Sequence, residues 1–512
     1  MKVSWRYLRI AVQLLCLGGF VLLFVLTEYR GKDQLAYPVS LLFRIDPLAA
    51  LADALAPGSF GWSLLWPALL VVLLTFVLGR FFCGWICPLG TTLDGLGRVV
   101  GRGRGPVSAG WRRCKYYLLI FLVAAGFFGL QLFGLFDPLA IFLRTLTLSL
   151  YPAWNLIANG VFDRLYQNPV PFVSPLADRI YPFVDTYLLS FHPPAFTLAV
   201  LTLLVFFAII ALEKIERRFW CKNLCPLGAL FGLCARHALL RREPVAPCAD
   251  CSACLQQCRS GAVTDAGHRG GECLVCLDCE GFCPQGRVRW AWGRPRAGRG
   301  VNLSRRGLLT SLAAGMVLAP VAGVTPAVWQ RHSYLLRPPG AVAEKEFQQR
   351  CIRCGECMKV CIGGALHPAL LDAGPTGLWT PVLVPRIGYC EYNCTLCGQV
   401  CPTGAIRPLS LEEKHKTVIG IAVFDKNRCI PFARGEECLV CEEHCPTGEK
   451  AIVFDVRPVQ VGDEERLVKL PRVVRRLCIG CGICETRCPV EGISPVRVTN
   501  EGESRRPFDP WA

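Results

Sequence analysis

The chain has 512 residues, of which 31 are cysteine, and it carries a formal net charge of +17. Its mean hydropathy of +0.38 is higher than that of an ordinary soluble protein and indicates membrane spans. The basic residues are spread along the chain and often flank apolar stretches, so the charge does not indicate a nucleic-acid-binding protein.

Five apolar stretches are each near the length that crosses a bilayer. They run over Ile10–Thr27, Leu64–Phe82, Tyr116–Phe136, Phe196–Leu212 and Leu308–Val324. Residues 28–63 and 136–195 hold three Lys or Arg each, whereas 80–115 hold seven and 213–306 are basic throughout. The positive-inside rule therefore predicts a cytoplasmic N-terminus and a periplasmic C-terminal segment in a bacterial inner membrane.

An internal repeat supports this topology. The segment Asp46-Pro47-Leu48-Ala49 recurs as Asp137-Pro138-Leu139-Ala140, and CGWICPLG (Cys83–Gly90) recurs as CKNLCPLG (Cys221–Gly228). The first two spans therefore look duplicated as the third and fourth. The apolar segment Ile141–Phe162 is then interpreted as a helix lying at the outer surface.

Two C-x3-C pairs form part of this repeat, Cys83 with Cys87 and Cys221 with Cys225. A spacing of four places both sulfurs of a pair on one helical face, and two such pairs at one depth would converge on a four-thiolate site. The functional interpretation is a further metal or cluster site, or a redox dithiol. The alternative is a turn, since Pro-Leu-Gly follows each pair.

Six four-cysteine motifs follow. Two lie in the segment after the fourth span: Cys248, Cys251, Cys254, Cys258 and Cys273, Cys276, Cys279, Cys283. Four lie in the last segment: Cys351, Cys354, Cys357, Cys361; Cys390, Cys394, Cys397, Cys401; Cys429, Cys438, Cys441, Cys445; and Cys478, Cys481, Cys484, Cys488.

The spacing within these motifs indicates about six [4Fe–4S] clusters. Three thiolates two residues apart wrap three corners of a cubane, and the fourth, three residues on, reaches the neighbouring cluster. Disulfides carry no preference for this spacing, and structural zinc favours separated CxxC pairs.

Ligand sets follow from this geometry. Cys258 should join the first three cysteines of the second motif, and Cys283 those of the first. In the last segment we expect nested pairing, the first motif with the fourth and the second with the third; sequential pairing stays open.

Between the two groups of motifs lies a Gly- and Arg-rich linker, and Ser304-Arg305-Arg306-Gly307-Leu308-Leu309 follows it. This looks like a twin-arginine export signal, and the alternative is a span with basic flanks. Both interpretations place the last segment on the periplasmic side of the membrane. Because the signal is internal, we expect it to stay in the protein as an anchor helix.

Asp46 and Asp137 also have two interpretations. Asp-Pro is a good N-cap followed by a good first helical residue. The alternative is a catalytic role as proton acceptors in a quinol site, because quinol oxidation releases protons.

Residues 1–300 resemble the NapH/MauN family of membrane ferredoxins. The features that carry this resemblance are four spans, two CxxxCP motifs and a two-cluster ferredoxin end. Residues 301–512 resemble the NapG/MauM family, because they contain a twin-arginine leader and four ferredoxin motifs. The CxxxCP element of the first part is also shared by the NosR and CcoG groups. The resemblance implies an electron-transfer protein that oxidises quinol and supplies a periplasmic reductase.

The predicted fold is an α-helical, internally duplicated membrane domain of about five helices with α+β bacterial-ferredoxin-like domains. The predicted domains are 1–240, transmembrane; 241–292, a cytoplasmic two-cluster ferredoxin; 293–330, linker and anchor helix; and 331–512, a periplasmic four-cluster ferredoxin.

Membrane lipid, the quinone pool and a periplasmic acceptor are the expected partners, with quinol as substrate and the chain a possible quinol dehydrogenase component. Two alternatives stay open. One is a maturation factor that supplies electrons for assembly of another metalloenzyme or quinoprotein, and the other is a transmembrane conduit from a cytoplasmic donor.

Overall fold

The computed structural model describes residues 5–35, 37–57, 61–101, 103, 110–168, 173–190, 195–244, 251, 253–264, 267–284, 286–293, 302–329, 333–461 and 464–505. We name three units: the helical unit (5–235), the two-motif unit (240–293) and the four-motif unit (333–505). One long helix lies between the last two.

The helical unit consists of α1 (Trp5–Leu26), α2 (Pro47–Leu55), α3 (Trp62–Leu78), α4 (Pro88–Val100), α5 (Trp111–Phe127), α6 (Phe133–Phe136), α7 (Pro138–Thr145), α8 (Tyr151–Gln167), α9 (Ser174–Leu188), α10 (Ala199–Ala211), α11 (Phe219–Asn223) and α12 (Pro226–Ala235). A 3-10 turn (Val39–Ile45) precedes α2, and π-turns (Phe82–Ile86 and Leu146–Leu150) precede α4 and α8.

The internal repeat appears in the structure as four helices that begin with the same type of residue. Helices α2, α4, α7 and α12 each begin at a proline, which suits the first turn because its missing N–H would have no helical partner there. Their N-caps are Asp46, Cys87, Asp137 and Cys225. Helix α4 packs on α7, and α12 packs on α2, so each motif helix contacts the other half.

The two-motif unit is small and is closed by β1 (Leu240–Pro244) pairing antiparallel with β4 (Val288–Trp292). Between them lie α13 (Ala253–Gln257), the short hairpin β2 (Val263–Thr264) and β3 (Gly267–His268), and α14 (Asp278–Phe282). Leu274 and Val275 are buried, and the backbone of Leu274 lies against Gly84 of the helical unit. This unit therefore packs directly beside the first C-x3-C pair.

Helix α15 (Arg305–Trp329) runs along α5. Small residues allow the close approach: a Cβ added at Gly315 would lie 2.7 Å from the Cβ of Ala124. This helix connects the helical unit with the four-motif unit.

The four-motif unit contains short helices and two-stranded antiparallel sheets. The helices are α16 (Glu344–Arg350), α17 (Glu356–Lys359), α18 (Leu396–Gln399), α19 (Leu411–Lys416), α20 (Ile430–Arg434), α21 (Val440–Glu443) and α22 (Ile483–Arg487). The strand pairs are β5 (Leu366–Pro368) with β6 (Pro381–Leu383), β7 (Ile421–Phe424) with β10 (Val496–Thr499), and β8 (Ile452–Val461) with β9 (Glu464–Val473).

The four-motif unit docks on the end of the helical unit that carries α6 and α7. A Cβ added at Gly134 would lie 1.8 Å from the carbonyl oxygen of Ile352, so the two backbones touch there. Polar contacts across this interface join Ser40 to Glu356, Thr202 to Trp379, Asp33 to Thr395 and Glu28 to Lys359.

Within the described residues one helix, Trp5–Leu26, is long and apolar enough to cross a membrane, with a mean hydropathy of 2.3. Helices occur at all five predicted spans, but Trp62–Leu78, Trp111–Phe127 and Ala199–Ala211 are shorter than this length requires. The interpretation of Ile141–Phe162 as a surface helix is wrong for its first part. Residues Ile141 to Thr145 are buried in the core, and only the following helix α8 has exposed faces.

Candidate iron–sulfur and proton sites

Three cavities in the four-motif unit are each lined by four cysteines. Cavity A is lined by Cys351, Cys354, Cys357 and Cys401; cavity B by Cys361, Cys390, Cys394 and Cys397; and cavity C by Cys445, Cys478, Cys481 and Cys484. Each combines three cysteines of one motif with the fourth of its sequence neighbour.

The remaining motif cysteines of this unit form a fourth group, site D. Burial and then the neighbouring Cys438 and Cys488 raise the pKa of Cys429 to about 12. Burial and then Cys488 raise the pKa of Cys441 to about 12 as well. Site D therefore consists of Cys429, Cys438, Cys441 and Cys488.

The expected nested pairing is wrong. The first motif pairs with the second and the third with the fourth, so this unit consists of two consecutive modules. The modules meet where the amide of Cys390 donates to the carbonyl oxygen of Cys481 at 2.8 Å. The first module contacts the helical unit through Ile352 and Thr395, and the second module joins the first at Cys390.

The cysteine loops share an unusual backbone. Positive φ angles occur at Arg353 and Gly355 in the first motif, and at the same two positions in the motifs that begin at Cys273 and Cys478. Side chains other than glycine rarely adopt this conformation, and its presence at Val275 (φ 49°) is a strain typical of functional loops. The conformation curls each loop around its cysteines.

These residues fit iron–sulfur clusters. The cavities are lined by four thiols each without histidine, and backbone N–H groups reach the sulfurs, as from Ile406 to Cys401 at 3.4 Å. Among the residues that the structure describes, no three Cys, His, Asp or Glu side chains close around a single metal ion. The cysteines instead surround a space, which is the arrangement that a polynuclear cluster requires.

In the two-motif unit the structure places Cys258 with the second motif, as the spacing predicts. Burial raises the pKa of the Cys273 thiol, and Cys276, Cys258 and Cys279 raise it further. The guanidinium of Arg242 lies beside Cys254 and Cys279. Cys248 lies outside the described residues, so its predicted set is incomplete.

The two C-x3-C pairs come together. Burial raises the pKa of Cys87, and the Cys221 and Cys83 thiolates raise it further. The same holds for Cys225, which Cys221 and Cys83 influence most among its neighbours. All four sulfurs therefore lie within electrostatic contact, with Cys87 and Cys225 buried. The residues Cys16, Cys114 and Cys234 are half-buried and stand apart from these groups.

Asp46 and Asp137 meet as well, which the sequence did not predict. Each caps its helix: Asp46 accepts from the amide of Leu48 at 2.9 Å, and Asp137 from that of Ala140 at 2.8 Å. Both are buried, and their carboxyl groups lie close enough to act on each other electrostatically. Burial raises the pKa of Asp46 well above its ordinary value and the pKa of Asp137 to about 6. We call these two residues the carboxyl pair.

Sequence reasoning missed the arginines at these sites. Arg144 donates to the carbonyl oxygens of Gly134 and Arg353, both at 3.2 Å, between the carboxyl pair and cavity A. Arg80 and Arg218 are buried beside the C-x3-C pairs. A signal was present for these two, because each stands three residues before the first cysteine of its pair.

Comparisons with known proteins support this geometry. A 4Fe-4S binding domain family matches residues 60–106 and 196–244, which hold both C-x3-C pairs, and a second family of that description matches 471–494. The ferredoxin-type protein MauM of Methylobacillus flagellatus is 38% identical over 30% of this chain and 64% of its own length. NapG of Escherichia coli is 37% identical over 30% of this chain and 67% of its own length.

A third relative, MauM of Methylorubrum extorquens, is 32% identical over 38% of this chain and 88% of its own length. No solved structure matches. The fold and the cysteine groups define an iron–sulfur electron-transfer protein. The chain belongs to the family of MauM- and NapG-type ferredoxin-type proteins.

Proposed function

We propose that this chain is a membrane-bound iron–sulfur protein that oxidises quinol and passes electrons to a periplasmic reductase. The observation that carries this proposal is the position of the carboxyl pair next to cavity A. Quinol oxidation releases protons together with electrons, so its site needs a proton acceptor beside an electron acceptor. The bound clusters would supply one-electron carriers.

The contacts around Arg144 join the two sites. Arg144 lies on α7, the helix that Asp137 caps, and its guanidinium interacts electrostatically with Asp137 and with Cys354 of cavity A. The carboxyl pair is held by backbone amides at two helix N-termini, which fixes its position. A raised pKa makes the pair a proton acceptor that works near neutral pH.

The division into two modules supports an outlet through the second module. Its cavity C is joined to cavity B where Cys390 bonds Cys481, and site D belongs to the same module. In the proposed topology this module faces the periplasm. That topology rests on the charge asymmetry of the loops and on the apolar helix Trp5–Leu26.

The test uses the full-length, cluster-replete protein in lipid nanodiscs under anaerobic conditions. A menaquinol analogue should reduce the clusters, as followed by EPR. Asp46→Asn keeps an N-capping side chain but no longer accepts a proton, so reduction should slow by about 10²- to 10⁴-fold.

Asp53→Asn is the matched control, because Asp53 is a buried acid on the same helix that bonds the amide of Gly61. Dithionite should reduce all three proteins equally. Equal quinol rates for the two variants would contradict the proposal.

A second candidate is a conduit from a cytoplasmic donor. It is favoured by direct contacts between the two-motif unit and the helical unit: Arg9 donates to the carbonyl oxygen of Cys276 at 2.8 Å, and Trp85 to that of Val275 at 2.9 Å. Reduction of the four-motif unit by a low-potential flavodoxin-type donor, with quinone absent, would support this candidate.

A further inference from the structure

We infer that the two repeats of the helical unit together hold one additional iron–sulfur cluster, with Cys83, Cys87, Cys221 and Cys225 as ligands and Arg80 and Arg218 as positioning residues. This site goes beyond the quinol oxidation proposed above and beyond the six ferredoxin motifs. The inference rests on an exchange of arginines between the two repeats.

Arg218 belongs to the second repeat but reaches into the first. It donates to the carbonyl oxygen of Cys83 at 2.9 Å and to that of Gly90 at 3.1 Å. Gly90 is the glycine of the first Cys-Pro-Leu-Gly turn, and a Cβ there would lie 3.4 Å from this guanidinium. The second repeat thereby fixes the backbone of the first cysteine pair.

Arg80 makes the reciprocal contact from the first repeat. A Cβ added at Gly228, the equivalent glycine of the second turn, would lie 2.8 Å from an Nη atom of Arg80. The amide of Gly228 also donates to Sγ of Cys225 at 3.3 Å. In both turns a Cβ would lie 3.2 Å from the carbonyl oxygen of the first cysteine of the pair, Cys83 or Cys221, with the arginine of the other repeat beside it. The repeated glycine makes room for both groups, most clearly at Gly228, where a side chain would displace the Arg80 guanidinium.

Two buried arginines lie beside four cysteines, of which Cys87 and Cys225 are buried and Cys83 and Cys221 half-buried, and this indicates a negatively charged occupant. Both arginines are at most 2% exposed, and charges are rarely buried without a partner of opposite sign. Arg80 shares the carboxylate of Glu272 with Lys115, so this network holds two cations for one anion. The excess positive charge matches the net negative charge of a cluster with four thiolate ligands.

The network around Arg218 has the same bias. Its partner Asp94, at 2.8 Å, also binds Arg259 at 2.9 Å, and Arg259 shares Asp278 with Arg9. Arg217 lies 3.9 Å from Asp94 as well, so four arginines meet these two carboxylates, and the buried acid Glu213 interacts electrostatically with Arg218 as a third. Both networks therefore leave positive charge for the sulfur site that lies between them.

A polar side chain within the second motif points to the same occupant. Asn223 lies between Cys221 and Cys225, is fully buried, and neither of its amide atoms has a hydrogen-bond partner among the described residues. Burying an amide without a partner costs about 1–3 kcal/mol. Hydrogen bonds to cluster sulfur atoms are a known means of tuning such sites and would satisfy this group.

The experiment measures iron and acid-labile sulfide in the full-length protein. The unmodified chain should hold about 26 to 28 irons, which is more than the roughly 24 of six cubanes. A variant with serine at Cys83, Cys87, Cys221 and Cys225 should lose two to four irons with as many sulfides, about one cluster. The matched control places serine at Cys16, Cys114 and Cys234 and should lose none.

Spectroscopy keeps the test independent of folding and of quinol oxidation. Mössbauer spectra of iron-57 protein should lose one component in the Cys225→Ser variant, while the EPR signals of the other clusters persist. Arg80→Gln should keep the iron and shift one midpoint potential to a more negative value, whereas Arg80→Lys should restore it. Unchanged iron in the four-serine variant, zinc in place of iron, or a reducible disulfide between these cysteines would overturn the inference.

Discussion

Replacing Glu272 by glutamine should selectively destabilise the two-motif unit. This carboxylate is the partner of Arg80 at 3.1 Å, of Lys115, and of the Tyr116 hydroxyl at 2.7 Å. The side chains of both cations are at most 2% exposed, so neither gains water when the carboxylate is lost. Leaving a buried charge without its partner costs about 3–5 kcal/mol.

That cost is expressed as local opening, because Glu272 attaches the two-motif unit to Arg80, just after α3, and to α5. At about 1.4 kcal/mol per factor of ten, the opened population should rise between about 10²-fold and several thousand-fold. Hydrogen exchange of the amides in residues 267–284 measures this population directly. Adding Lys115→Met should recover part of the protection, since it removes one of the two unpaired cations.

Glu280→Gln serves as the control, because Glu280 lies on α14 of the same unit and is exposed. A loss of protection in Glu272→Gln no larger than in this control would refute the reasoning. A uniform loss across all three units would refute it too, because the ion network contacts only the helical and two-motif units.

Other perturbations test other parts of the structure. Lys414→Met should make the midpoint potential of the cluster at cavity B more negative, because the buried lysine lies beside Cys390 and Cys394 and its loss removes a positive charge there. An EPR redox titration measures this shift, and the exposed control Lys416→Met should not change the potential. Burial raises the pKa of Asp137 to about 6, so the stability that its protonated carboxyl contributes is full below about pH 4 and is lost as the pH rises through 6; thermal unfolding of Asp46→Asn, which removes the second titrating carboxyl of the pair, should show a weaker total loss with pH. Gly134→Ala should release the four-motif unit to limited proteolysis, because its Cβ meets a backbone carbonyl, whereas Gly160→Ala, which faces open space, should not.

Local chemistry was readable from the sequence, and long-range partnership was not. The spacing of the motif cysteines predicts a loop around a cluster, and the positive φ angles at Arg353 and Gly355 show that loop. Which motif supplies the fourth ligand depends on which segments fold together. Cys401 reaches cavity A because adjacent motifs form one module, and the spacing alone permits either pairing.

The same distinction holds in the helical unit. Asp-Pro predicts a helix N-terminus, and both aspartates cap one, but their meeting requires the two repeats to face each other across the core. The segment Ile141–Phe162 was interpreted as a helix at the outer surface because the internal repeat leaves no place for it as a further span. Its first part is buried because the four-motif unit and the helix Ala199–Ala211 cover it, and no pattern within the segment encodes that cover.

Helix α15 has a consequence for assembly. It packs along α5 through glycine and alanine and carries the four-motif unit on its far end, so this unit is tethered to its docking surface. A tether of this kind holds the partner at an effective concentration of about millimolar, whatever the amount of protein in the cell. Contacts such as Ser40 with Glu356 then need only modest affinity, since docking is intramolecular. Docking at this junction therefore becomes independent of the expression level of the protein.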